Sequence, residues 1–290
     1  MKVKKWIYLF LVPGLVLYLT FFILPLIGVF YYSFTDWGGV GSDLNITGLE
    51  NFTSLSNDSV FSTSFMNNLK FLFTVLVFQT LFSLIFAMIL LKNTKTNTFF
   101  RVLFFFPTIL SSVSVAFIWT FVYDPNLGFL NPILEMVGLD ILTQSWLGDQ
   151  SIAIYSIAFV QIWFHTGQVM IIFIAGLQNI PKELYEAAIV DGASRWQKFT
   201  KVTWPLLKPT TTMVVAYITI QSFKAFDLIF AMTRGGPNYS TEILVTYIYR
   251  SAFSSYKFGY ASAVSIFLLV IVAFIAFLQF KVLNRNKVDY

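Results

Sequence analysis

Pro181-Lys-Glu-Leu-Tyr-Glu-Ala-Ala-Ile-Val-Asp-Gly-Ala-Ser-Arg-Trp-Gln-Lys-Phe-Thr-Lys-Val-Thr-Trp-Pro-Leu-Leu-Lys-Pro209 is a charged, helix-patterned insert between two strongly apolar stretches. Pro181 suits the first turn of a helix, where a missing N–H costs nothing. Glu183 and Glu186 follow near the positive end of the helix dipole. Leu184, Ala187 and Ala188 share one face by their i, i+3, i+4 spacing, and Gly192, directly after Asp191, supplies a stop. This predicts about two turns of helix over 183–190. A second helix is expected at once, because Ser194-Arg-Trp-Gln197 fits a capping box and Trp196, Phe199 and Val202 supply an apolar face. Pro205 and Pro209 are expected to bound the start of the next apolar stretch. On residue types alone two readings stand. One is an amphipathic helix lying on lipid headgroups, with Arg195, Lys198 and Lys201 on its polar side; the other is a connector gripped by a partner protein.

The surroundings decide what the insert connects. Of 290 residues 57% are hydrophobic, 34 are Phe, and only 11% are charged, against about a quarter charged in a soluble domain. This places the chain among polytopic membrane proteins. The absence of cysteine excludes disulfides, thiolate metal sites and cysteine nucleophiles. The one histidine, His165, excludes a multi-histidine metal site. The first residues imitate a signal peptide, but the apolar run continues past Pro13 and Pro25 to about Phe34 with no small-x-small cleavage site. An uncleaved first span is the better reading.

A membrane helix needs about 20 mostly apolar residues. Six segments qualify: 6–34, 66–91, 99–123, 152–177, 206–232 and 259–283, with a loop at 178–205 between the fourth and fifth. Fourteen of the 19 Lys and Arg fall on one side of this arrangement: Lys2, Lys4 and Lys5; Lys92, Lys95 and Arg101; Lys182 to Lys208; Lys281, Arg285 and Lys287. Loops 36–65 and 124–151 contain none and are acidic. The positive-inside rule therefore predicts cytoplasmic termini and a cytoplasmic insert. The net charge of +5 is thus spent on orientation, and no nucleic-acid partner is expected. No composition shift divides the chain, so residues 1–290 are expected to form a single transmembrane domain, with no clear internal repeat.

Glu186-Ala187-Ala188, Asp191-Gly192-Ala193, Phe199, Val202, Pro205, Leu207 and Pro209 closely resemble the EAA loop of ABC-importer permeases. Thr233-Arg-Gly-Gly-Pro-Asn-Tyr-Ser-Thr-Glu242, Tyr247-Ile-Tyr-Arg-Ser-Ala-Phe253, Gly259-Tyr-Ala-Ser-Ala263 and Gly48-Leu-Glu-Asn-Phe52 look like the carbohydrate branch of that family. The chain is similar to the short, six-span form found in glycerol-3-phosphate and multiple-sugar systems. The resemblance implies an all-α, type I ABC-importer transmembrane fold in a bacterial or archaeal cytoplasmic membrane. It implies a second homologous permease, two copies of a cytoplasmic ATPase, an extracellular solute-binding protein and a carbohydrate cargo. Glu183, Glu186, Ala187, Ala188, Asp191 and Gly192 would form the coupling helix seated in the ATPase. The chain has no Gly-x-x-x-x-Gly-Lys-Ser/Thr phosphate loop, so no cofactor is expected on it; ATP and Mg belong to the partner ATPases, and the chain is expected not to be an enzyme.

Polar residues inside spans usually face a bundle interior or an aqueous path. Gln161, His165 and Gln168 lie at i, i+4, i+7 in the fourth span, and Tyr217, Gln221 and Lys224 repeat that spacing in the fifth. Amides, hydroxyls and aromatics of this kind suit a sugar path; interhelical hydrogen bonding uses the same residues. Lys224 and Asp227, three apart, are expected to pair on one helix. Trp119 and Trp163 are expected to pack rather than to stack on solute. Arg234, Gly235, Gly236 and Pro237 form an external turn that either docks the binding protein or simply joins two spans. The competing functions are another ABC cargo, such as glycerol phosphate, phosphate or an amino acid, and an ion-coupled secondary transporter using His165, Lys224 and Asp227. An intramembrane enzyme lacks its residues: there is no His-Glu-x-x-His and no paired intramembrane carboxylate.

Overall fold

The computed structural model describes residues 10–283, with side chains described to Lys281. Lys2, Lys4, Lys5, Trp6, Arg285 and Lys287, invoked above for orientation and for the start of the first span, lie outside the described residues. Among those residues the chain is helical, with no strand and one isolated bridge, Thr35 to Ile46. In chain order the α-helices are α1 (Val12–Tyr18), α2 (Leu24–Tyr32), α3 (Glu50–Asn57), α4 (Ser59–Ile89), α5 (Lys95–Phe105), α6 (Ser112–Val122), α7 (Leu130–Met136) and α8 (Ala153–Gln178). They continue with α9 (Lys182–Val190), α10 (Arg195–Lys198), α11 (Trp204–Phe223), α12 (Phe226–Thr233), α13 (Leu244–Tyr249) and α14 (Phe258–Leu283).

Four helical stretches are long and apolar enough to cross a membrane unbroken: Val12–Tyr32, Ser59–Ile89, Ala153–Gln178 and Phe258–Lys281. Two bent pairs, Lys95–Ile109 with Ser112–Val122 and Arg195–Phe223 with Phe226–Thr233, bring the number to six where each pair counts as one span. The second span starts at Ser59, seven residues earlier than expected, because a polar first turn is capped by Asp58 (Val60 N–H to Oδ1, 2.8 Å).

Prolines shape the helices in two different ways. π turns at Leu19–Ile23 and Phe199–Thr203 each end two residues before a proline, Pro25 and Pro205. A proline ring clashes with the carbonyl four residues back; here that residue is Phe21 or Lys201, inside the wide turn. The N–H of Leu24 reaches Leu19 and that of Trp204 reaches Phe199, so the helix widens instead of breaking. The predicted boundary at Pro205 and Pro209 is therefore corrected: α10, the π turn and α11 form one continuous helix from Arg195 to Phe223, with Pro209 in its interior. Pro107 has the opposite outcome. It opens a 3-10 turn, Phe106–Ile109, after which Leu110 and Ser111 are extended and α6 leaves at 99°. The expected straight third span over 99–123 is thus broken. The expected fifth span over 206–232 is also bent, by 40°, at Lys224 and Ala225.

The chain falls into two compact units, one formed by residues up to Ser62 with Tyr247–Val270, the other by Thr63–Thr246 with residues from Ile271 onward. In the first, Tyr32 stacks on Trp37 with centroids 4.3 Å apart, Trp37 meets Phe258, and Asn51 donates to the Ser33 and Thr35 carbonyls. In the second, α8 is the central element: Ile157, Val160, Val169, Met170 and Phe173 are fully or almost fully buried in one apolar core. Small groups let the backbones approach. A Cβ on Gly167 would lie 2.0 Å from the Phe104 carbonyl oxygen, and one on Gly176 2.4 Å from Thr210 Oγ1.

Candidate functional site

The two breaks meet at a cavity of about 560 Å3 within the second unit. Gln161 and His165 of α8 line it, with Tyr217 and Gln221 of α11 and Lys224 at the end of that helix. Five of the six predicted path residues therefore converge. Gln168 is not on the wall; its Oε1 lies 3.4 Å from His165 Nδ1. Ser111, Ser112 and Asp227 are also on the wall. Sequence reading did not single out the two serines; the signal was a Ser-Ser pair four residues after Pro107, where a broken span turns.

Hydrogen bonding separates glue from lining. Other residues supply bonds that tie α8 to its neighbours: Thr108 Oγ1 donates to the Phe164 carbonyl at 2.8 Å, Ser83 Oγ to Thr166 at 2.9 Å and Tyr123 Oη to Ser156 at 3.1 Å. Gln161 is 3% exposed, lines the cavity, and its amide has no protein partner among the described residues. Gln221 reaches Tyr217 Oη only at 3.5 Å. Five of the six stripe residues thus border the cavity, while Gln168 of α8 interacts with Tyr217 of α11 and joins the two helices. Trp119 and Trp163 do pack: Trp119 makes edge contacts to Trp163 at 5.5 Å and Phe159 at 5.7 Å.

The expected Lys224–Asp227 pair is not formed. Lys224 caps the end of α11 and Asp227 sits in the first turn of α12, so the break removes the helical i, i+3 geometry. Asp227 Oδ2 instead accepts from Ser112 Oγ at 3.3 Å.

The insert has the two predicted short helices. α9 ends in a Schellman motif: Ala193 N–H donates to the Ala188 carbonyl at 2.9 Å and Gly192 N–H to Ile189 at 3.0 Å. Gly192 has φ +73°, which an L side chain rarely adopts. The capping box is present, Gln197 N–H donating to Ser194 Oγ and Ser194 N–H to Gln197 Oε1. Glu183, Glu186, Ala187, Asp191 and Gly192 are exposed, and Ala188 is half-buried. Apolar residues share that exposure, Val190 at 87% and Ile189 at 59%. One hydroxyl pair ties α9 to the long helix, Tyr185 Oη to Thr203 Oγ1 at 2.9 Å.

The loop after α12 is built rather than loose. Arg234 and Gly235 both have positive φ, Thr241 Oγ1 donates to the Gly236 carbonyl at 2.7 Å, and Asn67 Nδ2 donates to the Tyr239 and Glu242 carbonyls. Asn68 Oδ1 accepts from Leu244 N–H. Gly235 is buried and Gly236 and Pro237 are half-buried, so its outer face is Arg234, Asn238 and Tyr239.

Residues 79–288 match the family described as binding-protein-dependent transport system inner membrane component. The chain is 36% identical over 282 residues to the probable ABC transporter permease protein YurN of Bacillus subtilis (strain 168), covering 97% of this chain and 96% of that one. It is 35% identical to the multiple sugar-binding transport system permease protein MsmF of Streptococcus mutans serotype c, covering 98% and 97%. In fold it is similar to a chain from the crystal structure of a bacterial ABC transporter involved in the import of the acidic polysaccharide alginate. That match has a TM-score of 0.82 and 24% identity, and it covers 96% and 95% of the two chains. The chain therefore belongs to the family of inner membrane components of binding-protein-dependent transport systems, and is an integral membrane permease with the type I ABC-importer transmembrane fold.

Proposed function

We propose that the chain forms half of the path of an ATP-driven importer for a carbohydrate, an oligosaccharide above all. It sits in the cytoplasmic membrane with both termini and the 178–205 loop on the cytoplasmic side. The partners in this reading are a second homologous permease, two ATPase subunits and an extracellular binding protein, and ATP hydrolysis belongs to the ATPases. Relatives named for multiple sugars and for diacetylchitobiose support the cargo class.

One observation carries the mechanical part. The exposed α9 is joined through Gly192 and the Tyr185–Thr203 contact to an unbroken helix, Arg195–Phe223, that ends at Lys224 on the cavity wall. At 1.5 Å per residue that helix is about 43 Å long. A pull on α9 by closing ATPases is thus delivered to the cavity by a rigid rod, in the manner of a rigid-body switch. Glu186 supplies charge-assisted hydrogen bonds at the seat, and Ile189 and Val190 its exposed apolar surface. The loop of Arg234, Gly235, Gly236 and Pro237 meets the binding protein in this reading, through its outer face of Arg234, Asn238 and Tyr239.

Reconstitution tests both parts. Uptake of radiolabelled oligosaccharide into proteoliposomes should require ATP and the binding protein and be indifferent to a proton gradient. Uptake driven by the gradient without ATP would overturn the reading. Glu186→Lys and Gly192→Pro should insert in the membrane yet fail to co-purify the ATPase; normal co-purification of both variants would remove the coupling role.

A further inference from the structure

We propose that residues 127–142, in the loop between the third and fourth spans, anchor the permease in the outer leaflet, with an apolar stripe sunk among phospholipid acyl chains; the choice of leaflet rests on the orientation proposed above. α7 lies in this segment. Phe129, Ile133, Met136 and Val137 fall at i, i+4, i+7 and i+8, one face of a helix. All four are exposed, Met136 at 84%. The turns on either side add Leu127 and Ile141, also exposed. A soluble surface rarely gathers so many bare apolar side chains without a partner for them. The inner face of α7 is already occupied. Leu130 packs on the core of the second unit, Asn131 Oδ1 accepts from Trp146 Nε1 at 2.8 Å, and Asn131 Nδ2 donates to the Gln144 carbonyl at 3.1 Å.

Depth, chemistry and mechanics all point to the bilayer as the occupant. Tyr123, which caps α6, stacks on Trp146 with centroids 5.7 Å apart, and Trp146 in turn holds Asn131. α7 is thus tied within one side chain of the end of a span, at the level where Trp and Tyr gather in membrane proteins. The stripe continues the exposed apolar surface of α6, where Phe117, Ile118 and Phe121 stand out. The loop's four acids, Asp124, Glu135, Asp140 and Asp149, fall outside the stripe, and the loop has no Lys or Arg. A folded partner would be recognised through about one hydrogen bond per 100–200 Å2 of interface; the stripe carries no polar side chain to make one, and fluid acyl chains ask for none. α6 also needs a fixed point. Its 11 residues span about 16 Å, roughly half of a ~30 Å hydrocarbon core, and it leaves α5 at 99°. No straight helix sets the depth of its outer end, while Ser112 at its other end lies on the cavity wall. A helix lying in the interface sets that depth.

The chain contains no cysteine, so one introduced thiol carries one label. Met136→Cys and Ile141→Cys would each be nitroxide-labelled in the complex assembled with its second permease and ATPases, these free of reactive thiols, in phospholipid nanodiscs. Power-saturation EPR then compares collisions with oxygen, which concentrates among acyl chains, and with a water-soluble nickel chelate. Both labels should meet oxygen several-fold more than nickel and sit about 5–10 Å into the headgroup and acyl boundary. Gln150→Cys, exposed in the same loop, should favour nickel. A nickel-dominated signal at 136 and 141, like that at 150, would overturn the anchor. Poor access to both reagents would place the stripe against the second permease and overturn it equally. Loss of oxygen access only on adding the binding protein would assign the stripe to that protein instead. Should Met136→Cys fail to assemble, Val137→Cys is read in the same way. In spheroplasts an impermeant maleimide should label Gln150→Cys; absence of labelling would overturn the orientation, and with it the leaflet, while the depth at 136 and 141 still decides whether the segment is an anchor.

Discussion

Gly192 has φ +73° with nothing within 4 Å of where a Cβ would lie, so its role is purely conformational. Gly192→Ala should cost about 1 kcal/mol locally, visible as faster amide exchange at Asp191 to Ala193 without loss of membrane insertion. Asp58 is a different kind of single-residue control. Its Oδ1 accepts the N–H groups of Val60 and Phe61, and its Oδ2 accepts the hydroxyls of Tyr247 and Tyr260. Partial burial pushes its pKa up, but the tyrosine and backbone hydrogen bonds outweigh this and hold it below the ordinary 3.8. A depressed carboxylate contributes stability that is present above its unfolded pKa and lost as pH falls through the folded one. Tyr247 runs the other way, pushed up to about 12 by burial and then by the Asp58 carboxylate. Its contribution is complete below the unfolded value of 10.0 and is lost as pH rises through about 12. Asp58→Asn should therefore lower the melting temperature at neutral pH and flatten its decline below pH 3.8. Thermal unfolding of the purified complex across that range checks both; an unchanged acid limb would show that another group sets it.

At the scale of elements, the close approach of α5 to α8 depends on the missing side chain of Gly167. A Cβ there would meet the Phe104 carbonyl oxygen at 2.0 Å and the Phe105 Cα at 2.7 Å. These are backbone atoms that no rotamer change can move, so Gly167→Ala should destabilise by at least the ~1–3 kcal/mol of ordinary overpacking, read as a lower melting temperature. The Tyr185–Thr203 contact makes a softer joint. Tyr185→Phe should cost about 1 kcal/mol, raise amide exchange in α9, and lower the sugar imported per ATP hydrolysed while the ATPase still co-purifies. An unchanged transport-to-hydrolysis ratio would confine Tyr185 to packing. The two helices of the insert were legible in the sequence because caps and stops are local: Gly192, Ser194 and Gln197 act within a few residues of themselves. The continuity through Pro205 was not, since a proline is tolerated or not according to whether the turn before it can widen. Pro107 and Pro205 look alike in sequence and end differently, one before a 99° bend and the other inside a continuous helix.

At the scale of the whole molecule, apolar content and the spacing of apolar stretches were enough to read a polytopic membrane chain, and the 181–209 pattern, through its resemblance to the EAA loop, was enough to read an importer permease. Each depends on residue type and on sequence distances of no more than one helix. The convergence of Gln161, His165, Tyr217, Gln221 and Lys224 was anticipated as two stripes, but that the stripes share one cavity depends on helix rotation and tilt, which no stripe encodes. The loss of the Lys224–Asp227 pair and the arrival of Ser111 and Ser112 at the same wall were decided by the tertiary structure alone. Both come from the places where helices stop: a break redirects the chain by tens of degrees, and that angle is set by the packing of α8 against its neighbours, through contacts such as Thr108 to Phe164 that join residues far apart in sequence.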